Sequence, residues 1–155
     1  MKTTVPRIAL PDMVCSAHMG STEFKVSPGD PGDPQDHRVV VLGASAKSWR
    51  YSNQAVRLLK TQGYQVVPVH PKVQTIEELP VVPELRAVSG IVHTLTLYVG
   101  PVRSRRLIDG IVRMRPRRVI LNPGTESPEL EKRLREHHIP FMHACTLVML
   151  RTAQF

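Results

Sequence analysis

Val39-Val-Val-Leu-Gly-Ala-Ser-Ala-Lys-Ser-Trp-Arg-Tyr-Ser-Asn53 is the stretch that decides the fold. Four consecutive apolar residues, Val39 to Leu42, suit a strand buried on both faces of a parallel sheet, and Gly43 follows where the chain must turn sharply. A short polar loop then opens into a helix, expected over Asn53 to Gln62 with Ser52 as its N-cap. Free main-chain N–H groups and the positive end of the helix dipole would face that loop, so an anion such as a pyrophosphate is its natural occupant. Gly43, Ala44 and Ser45 are the expected contacts. Lys47 and Arg50 supply basic side chains in the loop, and Tyr51 and Ser52 stand at the helix entrance, where capping and ligand roles both stay open.

The next informative segment is Gln65-Val-Val-Pro-Val-His-Pro-Lys72. In a dinucleotide fold that binds NAD, the second strand usually ends in a carboxylate that hydrogen-bonds the ribose hydroxyls. Here His70-Pro71-Lys72 offers a fixed positive charge instead, which favours a phosphorylated ribose. The glycine fingerprint is also incomplete, since Ser45 and Ser48 follow Gly43 where further glycines would stand. Both departures disfavour a nicotinamide dehydrogenase.

From His37 onward strands and helices alternate, the pattern of an α/β sheet with right-handed crossovers. Strands are expected at Arg38 to Leu42, Gln65 to Val69, Ile91 to Tyr98, Arg117 to Leu121 and Ile139 to His143. The first helix buries Ala55, Val56, Leu58 and Leu59 and ends at Gly63. The helix after the third strand begins at Pro101 and presents Leu107, Ile108, Ile111 and Val112 to the sheet. Ser127-Pro128-Glu129 starts another helix, which buries Leu130 and Leu134. Thr146 is expected to cap a last short helix from Leu147 to Thr152. The architecture is thus a Rossmann-like or flavodoxin-like three-layer sandwich around a five-stranded parallel sheet, with expected strand order 3-2-1-4-5. Ligands in such sheets collect outside the carboxyl ends of the strands, where the order reverses. The Gly43 loop, Lys72, Tyr98-Val99-Gly100-Pro101, Asn122-Pro123-Gly124-Thr125-Glu126 and Cys145 all follow strand ends and should line one edge.

These segments, with Asn122-Pro-Gly-Thr-Glu126 and Ala144-Cys-Thr-Leu-Val-Met-Leu150, resemble the small stand-alone coenzyme A-binding proteins. Their fold is like the nucleotide-binding domain of the succinyl-CoA synthetase alpha subunit, and the resemblance runs from about His37 to Phe155. It implies a sheet that holds coenzyme A or an acyl-CoA, with the pyrophosphate near Gly43-Ala44-Ser45 and the ribose phosphate near Lys72. The pantetheine arm would then run past Asn122-Pro123-Gly124. It implies no catalysed reaction, because the synthetase carries its phosphorylated histidine in a separate domain for which this chain leaves no room. Three alternatives stay open: an NAD(H)-binding regulator on the same fold, a subunit of an acyl-CoA ligase, and a basic RNA-binding domain. A homodimer or a ligase partner subunit is compatible with each.

At 155 residues the chain fits one ordinary domain, read as residues 37–155 behind a disordered extension over 1–36 that includes the turn-rich Pro28-Gly-Asp-Pro-Gly-Asp-Pro34. No apolar run is long enough to span a membrane, and a cytoplasmic location is expected. Residues 1–36 carry 3 basic and 5 acidic residues and the remainder 18 and 8, so the domain itself is strongly basic. With 3 Tyr, 3 Phe and 1 Trp there is little to stack on nucleic acid bases, and a polyanionic small ligand accounts for part of the charge. Cys15 and Cys145 are read as free thiols, His137, His138 and His143 make no metal motif, and Glu126 has no carboxylate partner for general base chemistry.

Overall fold

The structure, a computed structural model, describes residues 33–155. The expected N-terminal extension therefore lies outside the described residues except for its last four. Of these, Pro34–Asp36 form a 3-10 turn whose first N–H groups are capped by Asp33. The chain then runs through β1 (Arg38–Leu42), α1 (Tyr51–Thr61), β2 (Gln65–Val69), β3 (Thr75–Ile76), β4 (Leu79–Pro80) and β5 (Thr94–Leu97). It continues through α2 (Pro101–Ser104), α3 (Ile108–Met114), β6 (Arg118–Leu121), α4 (Pro128–Glu136), β7 (Phe141–His143) and α5 (Thr146–Arg151).

Five strands form one parallel sheet in the order β2-β1-β5-β6-β7, and β3 and β4 make a separate two-residue hairpin. The α/β Rossmann-like class is as the sequence indicates. The strand order differs from 3-2-1-4-5 in one respect: the third sheet strand, β5, pairs with β1 and does not lie outside β2. Two features of β2 explain this. Pro68 has no N–H to offer a further strand, which suits an edge position. The outer side of β2 is also taken by the returning chain, with Val82 N donating to Pro68 O at 2.9 Å and His70 N donating to Val82 O at 3.1 Å. The reversal of direction consequently falls between β1 and β5.

Both faces of β1 are buried, as its unbroken apolar run requires. Val39 and Val41 pack with Val56, Leu59 and Leu150 from α1 and α5. Val40 and Leu42 pack with Ile108, Ile111, Val112, Leu130 and Leu134 from α3 and α4 on the other face. Each such leucine or isoleucine withdrawn from water contributes roughly 1.5–3 kcal/mol. In β5 the pattern Thr-Leu-Thr-Leu places the leucines on the α3/α4 side. Buried Thr94 and Thr96 point the other way, and their hydroxyls find partners across the sheet.

Several element ends differ from expectation for identifiable reasons. The strand expected from Ile91 begins only at Thr94, because Ile91 lies outside the sheet and is 64% exposed. The strands expected from Arg117 and Ile139 begin at Arg118 and Phe141. The helix from Pro101 is interrupted by a 3-10 turn at Arg105–Leu107 before α3 resumes. It still buries Ile108, Ile111 and Val112, and ends at a left-handed Arg115 before Pro116. Ser127 caps α4 as read, its Oγ accepting from Leu130 N at 3.3 Å. No helix among the described residues is long and apolar enough to cross a membrane.

Candidate functional site

The parallel pairing brings every strand-end motif to one edge of the sheet. Gly43–Ser45 follow β1, His70–Lys72 follow β2, Tyr98–Pro101 follow β5, Asn122–Gly124 follow β6 and Ala144–Cys145 follow β7. The centre of that edge is the crevice between β1 and β5, where the strand order reverses.

Gly43 occupies the crevice with φ +88, and a Cβ there would come within 2.6 Å of Val99 Cγ1 and 3.1 Å of the Tyr98 carbonyl carbon. No other residue fits this turn without displacing the end of β5. The N–H groups of Gly43 and Ala44 both donate to Val69 O, at 3.2 and 3.3 Å, so they fasten the loop to β2 and are not free for a ligand. The free donors come next. Among the described residues, the main-chain N–H groups of Ser45, Ala46, Tyr51 and Ser52 have no protein acceptor.

The helix entrance differs from the expected one. α1 begins at Tyr51, two residues before the expected start, with Arg50 in extended conformation at the cap position and no side-chain cap. Ser52 is therefore not the N-cap; it is buried within the first turn, as is Asn53. Asn53 replaces it as the organising residue. Its Nδ2 donates to Ser45 O at 2.8 Å and to Glu77 Oε1 at 2.9 Å, which ties the loop to the β3–β4 hairpin. The sequence reading placed Asn53 at the helix entrance with cap and ligand roles open and missed Glu77, since a contact between residues 24 positions apart leaves no local signal.

Lys72 is exposed just beyond the end of β2. His70 serves its turn directly, with Nδ1 accepting from Lys72 N at 3.1 Å, so the ring holds the chain that presents the lysine. Lys47, Arg50 and Lys72 make no salt bridge among the described residues, although seven pairs of other Lys or Arg side chains with carboxylates form there. Lys47 and Arg50 in this loop and Lys72 past the end of the neighbouring strand have no acidic partner among the described residues, and with the free N–H donors at a helix N-terminus they make a donor set suited to phosphate oxygens. Trp49 in the loop and Tyr51 at the start of α1 are 70% and 72% exposed, and Lys47 Nζ lies 5.5 Å from the Trp49 ring centre. Trp49 was not among the expected contacts.

On the far side of the crevice, Asn122 is buried and its side chain is fully engaged. Nδ2 donates to Thr96 Oγ1 at 2.8 Å and to Leu97 O at 3.0 Å, while Oδ1 accepts from Thr146 N at 2.8 Å. Its amide thus orders β5, β6 and α5 and is not presented to a ligand. Thr146 is the first residue of α5 and not its cap; Cys145 holds the cap position without a side-chain bond. The Thr146 hydroxyl pairs with that of Thr96 at 2.6 Å. The Tyr98 hydroxyl lies beside this pair without a hydrogen bond of its own, and burial pushes its pKa up to about 12. Pro123 and Gly124 remain exposed, as does Glu126, whose Oε2 accepts from Gly124 N at 2.8 Å and closes the turn. Pro101 is exposed, while Val99, Gly100 and Cys145 are partly buried. Ala44, Ser52 and Asn122 are the expected site residues whose side chains belong to the packing. No group of three or more His, Cys, Asp or Glu side chains among the described residues is placed to hold a metal ion.

The family described as the CoA binding domain matches residues 37–151. No curated protein matches the chain. Among solved structures, the crystal structure of an uncharacterized protein is 36% identical over 77% of this chain and 98% of its own, with a TM-score of 0.72. A Thermus thermophilus protein is 29% identical over 77% of this chain and 90% of its own, with a TM-score of 0.71. A dinucleotide-forming acetyl-coenzyme A synthetase from Ca. Korarchaeum cryptofilum, solved with phosphate and ADP, shares the fold at 20% identity and a TM-score of 0.60. That match covers 68% of this chain and 25% of the synthetase.

Proposed function

The chain belongs to the CoA binding domain family, and on that premise we propose that it binds coenzyme A or an acyl-CoA as a binding, carrier or sensor protein that catalyses no reaction by itself. The ligand lies along the sheet edge at the β1–β5 crevice. Its pyrophosphate meets the N–H groups of Ser45 and Ala46 and the first turn of α1, and its ribose phosphate meets Lys72. Lys47 and Arg50 close over the phosphates from the loop, and the pantetheine arm passes the exposed Pro123-Gly124 turn. The observation that carries this reading is the coincidence of free N–H donors with three cations that have no acidic partner among the described residues. The one carboxylate in the Asn122 turn, Glu126, is engaged with Gly124 N, which favours binding over acid–base chemistry.

The likeness to a quarter of an acetyl-CoA synthetase favours one second reading, in which the chain acts as the coenzyme A-binding subunit of a ligase. Calorimetric titration separates the possibilities. Saturable binding of coenzyme A by the protein alone, stronger than that of NAD, is the expected result. Preference for NAD contradicts the reading, as does retention of a random oligonucleotide that coenzyme A does not relieve. Conversion of acetyl-CoA, phosphate and ADP to acetate, coenzyme A and ATP, seen only with a histidine-bearing partner, would move the role to the ligase.

A further inference from the structure

The tip of the β3–β4 hairpin is a two-residue turn made of Glu77 at φ +49 and Glu78 at φ +64. Successive left-handed residues in such a turn are normally glycine, asparagine or aspartate. Two glutamates here call for an explanation, and their contacts supply one. Lys60 Nζ donates to Glu77 O at 2.9 Å and to Glu78 Oε2 at 2.7 Å, clamping the tip onto α1. Glu77 Oε1 meets Asn53 Nδ2, the nitrogen that also holds Ser45 O.

Asn53 is fully buried, and its Oδ1 has no hydrogen-bond partner among the described residues. With nothing on the oxygen side to fix the amide, its orientation depends on what faces the nitrogen. The Glu77 carboxylate is purely an acceptor, so it rejects the flipped amide, in which Oδ1 would confront both the carboxylate and the Ser45 carbonyl. We infer that Glu77 is a positioning residue for the phosphate loop. It holds the Asn53 amide with its nitrogen toward Ser45 O, and thereby sets the direction of the free Ala46 N–H, which shares a peptide plane with that carbonyl. The strained turn persists because each glutamate serves a contact that glycine could not make. The consequence for affinity rests on the coenzyme A reading above; the effect on the loop does not.

Three variants separate positioning from simple support of the fold. Glu77→Gly relieves the backbone and removes the carboxylate. Glu77→Gln keeps an acceptor oxygen for Asn53, and the Ser45 carbonyl, a second acceptor on the same nitrogen, selects the glutamine rotamer that presents it. Glu78→Gly relieves the neighbouring strain but leaves the Asn53 contact in place. Glu77→Gly is expected to weaken coenzyme A binding about five- to tenfold, the scale of one hydrogen bond. Glu77→Gln and Glu78→Gly should stay within about twofold of the wild type, and Glu77→Gly should melt no lower than Glu78→Gly. Hydrogen exchange of the buried Asn53 side-chain amide, read by NMR with the Ser45 and Ala46 amide shifts, requires no ligand. Exchange should quicken in Glu77→Gly alone. If the wild type binds no coenzyme A, the functional proposal fails while exchange still decides whether Glu77 positions the loop. Wild-type exchange in Glu77→Gly, equal damage in Glu77→Gln, or tighter coenzyme A binding on loss of the carboxylate would each overturn the inference.

Discussion

Asn122 Oδ1 accepts a hydrogen bond from Thr146 N at 2.8 Å, so a side chain at the end of β6 caps a helix that begins 24 residues later. The same amide donates to Thr96 Oγ1 and Leu97 O, and one buried side chain therefore joins two strand ends and a helix start at the candidate site. Replacing it by alanine leaves buried donors and acceptors without partners. Asn122→Ala should lose roughly 2–4 kcal/mol of stability in chemical denaturation. Asn122→Asp should lose about as much, because its carboxylate faces the Leu97 carbonyl. Wild-type stability in Asn122→Ala would show that the network does not hold this edge together.

Gly43 and Val99 meet at the β1–β5 crevice, and two separate effects oppose any side chain there. The backbone is left-handed, and a Cβ would lie 2.6 Å from Val99 Cγ1. Gly43→Ala should cost about 2–4 kcal/mol from strain and overpacking together. Adding Val99→Ala should recover about 1 kcal/mol of that cost, since it removes the side-chain clash and leaves the backbone strain. Strict additivity in the double-mutant cycle would show that the two residues do not press on each other.

His37 gives the fold a dependence on pH. Its ring is half buried, with Nε2 bonded to Thr94 Oγ1 at 2.9 Å. Burial, helped by the charges of Arg118, His93 and Arg117, lowers its pKa from 6.5 to about 4. Between those values the unfolded chain binds more protons than the native one, so stability is complete above about pH 6.5 and declines as pH falls toward 4. With half the ring open to solvent screening, the loss should amount to about 1–2 kcal/mol. His93 is lowered too, chiefly by burial, and acts in the same direction. Glu78, held down by Lys60, acts only below about pH 4.5. Melting temperatures across pH 4–7 should fall toward the acid end in the wild type, and less steeply in His37→Gln. Parallel profiles would remove His37 as the cause.

What the sequence made legible was what short-range patterns encode. The Val39–Leu42 run gave a doubly buried strand, Gly43 a turn with positive φ, Ser127-Pro128 a capped helix, and the strand-end motifs their common edge. Strand order was not legible, because it depends on the edge of β2 being covered by Val82, a contact made by a connection with little periodicity. Ser52 resembled a helix cap by residue type, yet the helix starts before it. The loop is held from the side by Asn53 and Glu77, whose pairing only the folded chain reveals. Asn122 was singled out at the right place, but as a ligand contact; three internal hydrogen bonds make its amide part of the frame.

In the proposed binding mode the Lys72 ammonium reads the ribose phosphate of coenzyme A. The most direct test is a four-way calorimetric comparison of coenzyme A and dephospho-coenzyme A on the wild type and Lys72→Ala. The wild type should bind coenzyme A about tenfold or more tightly than the dephospho form, as expected of a charge-assisted contact. Lys72→Ala should bring the two ligands to nearly equal affinity by weakening only coenzyme A. An undiminished preference for coenzyme A in Lys72→Ala, or equal affinities in the wild type, would contradict the account.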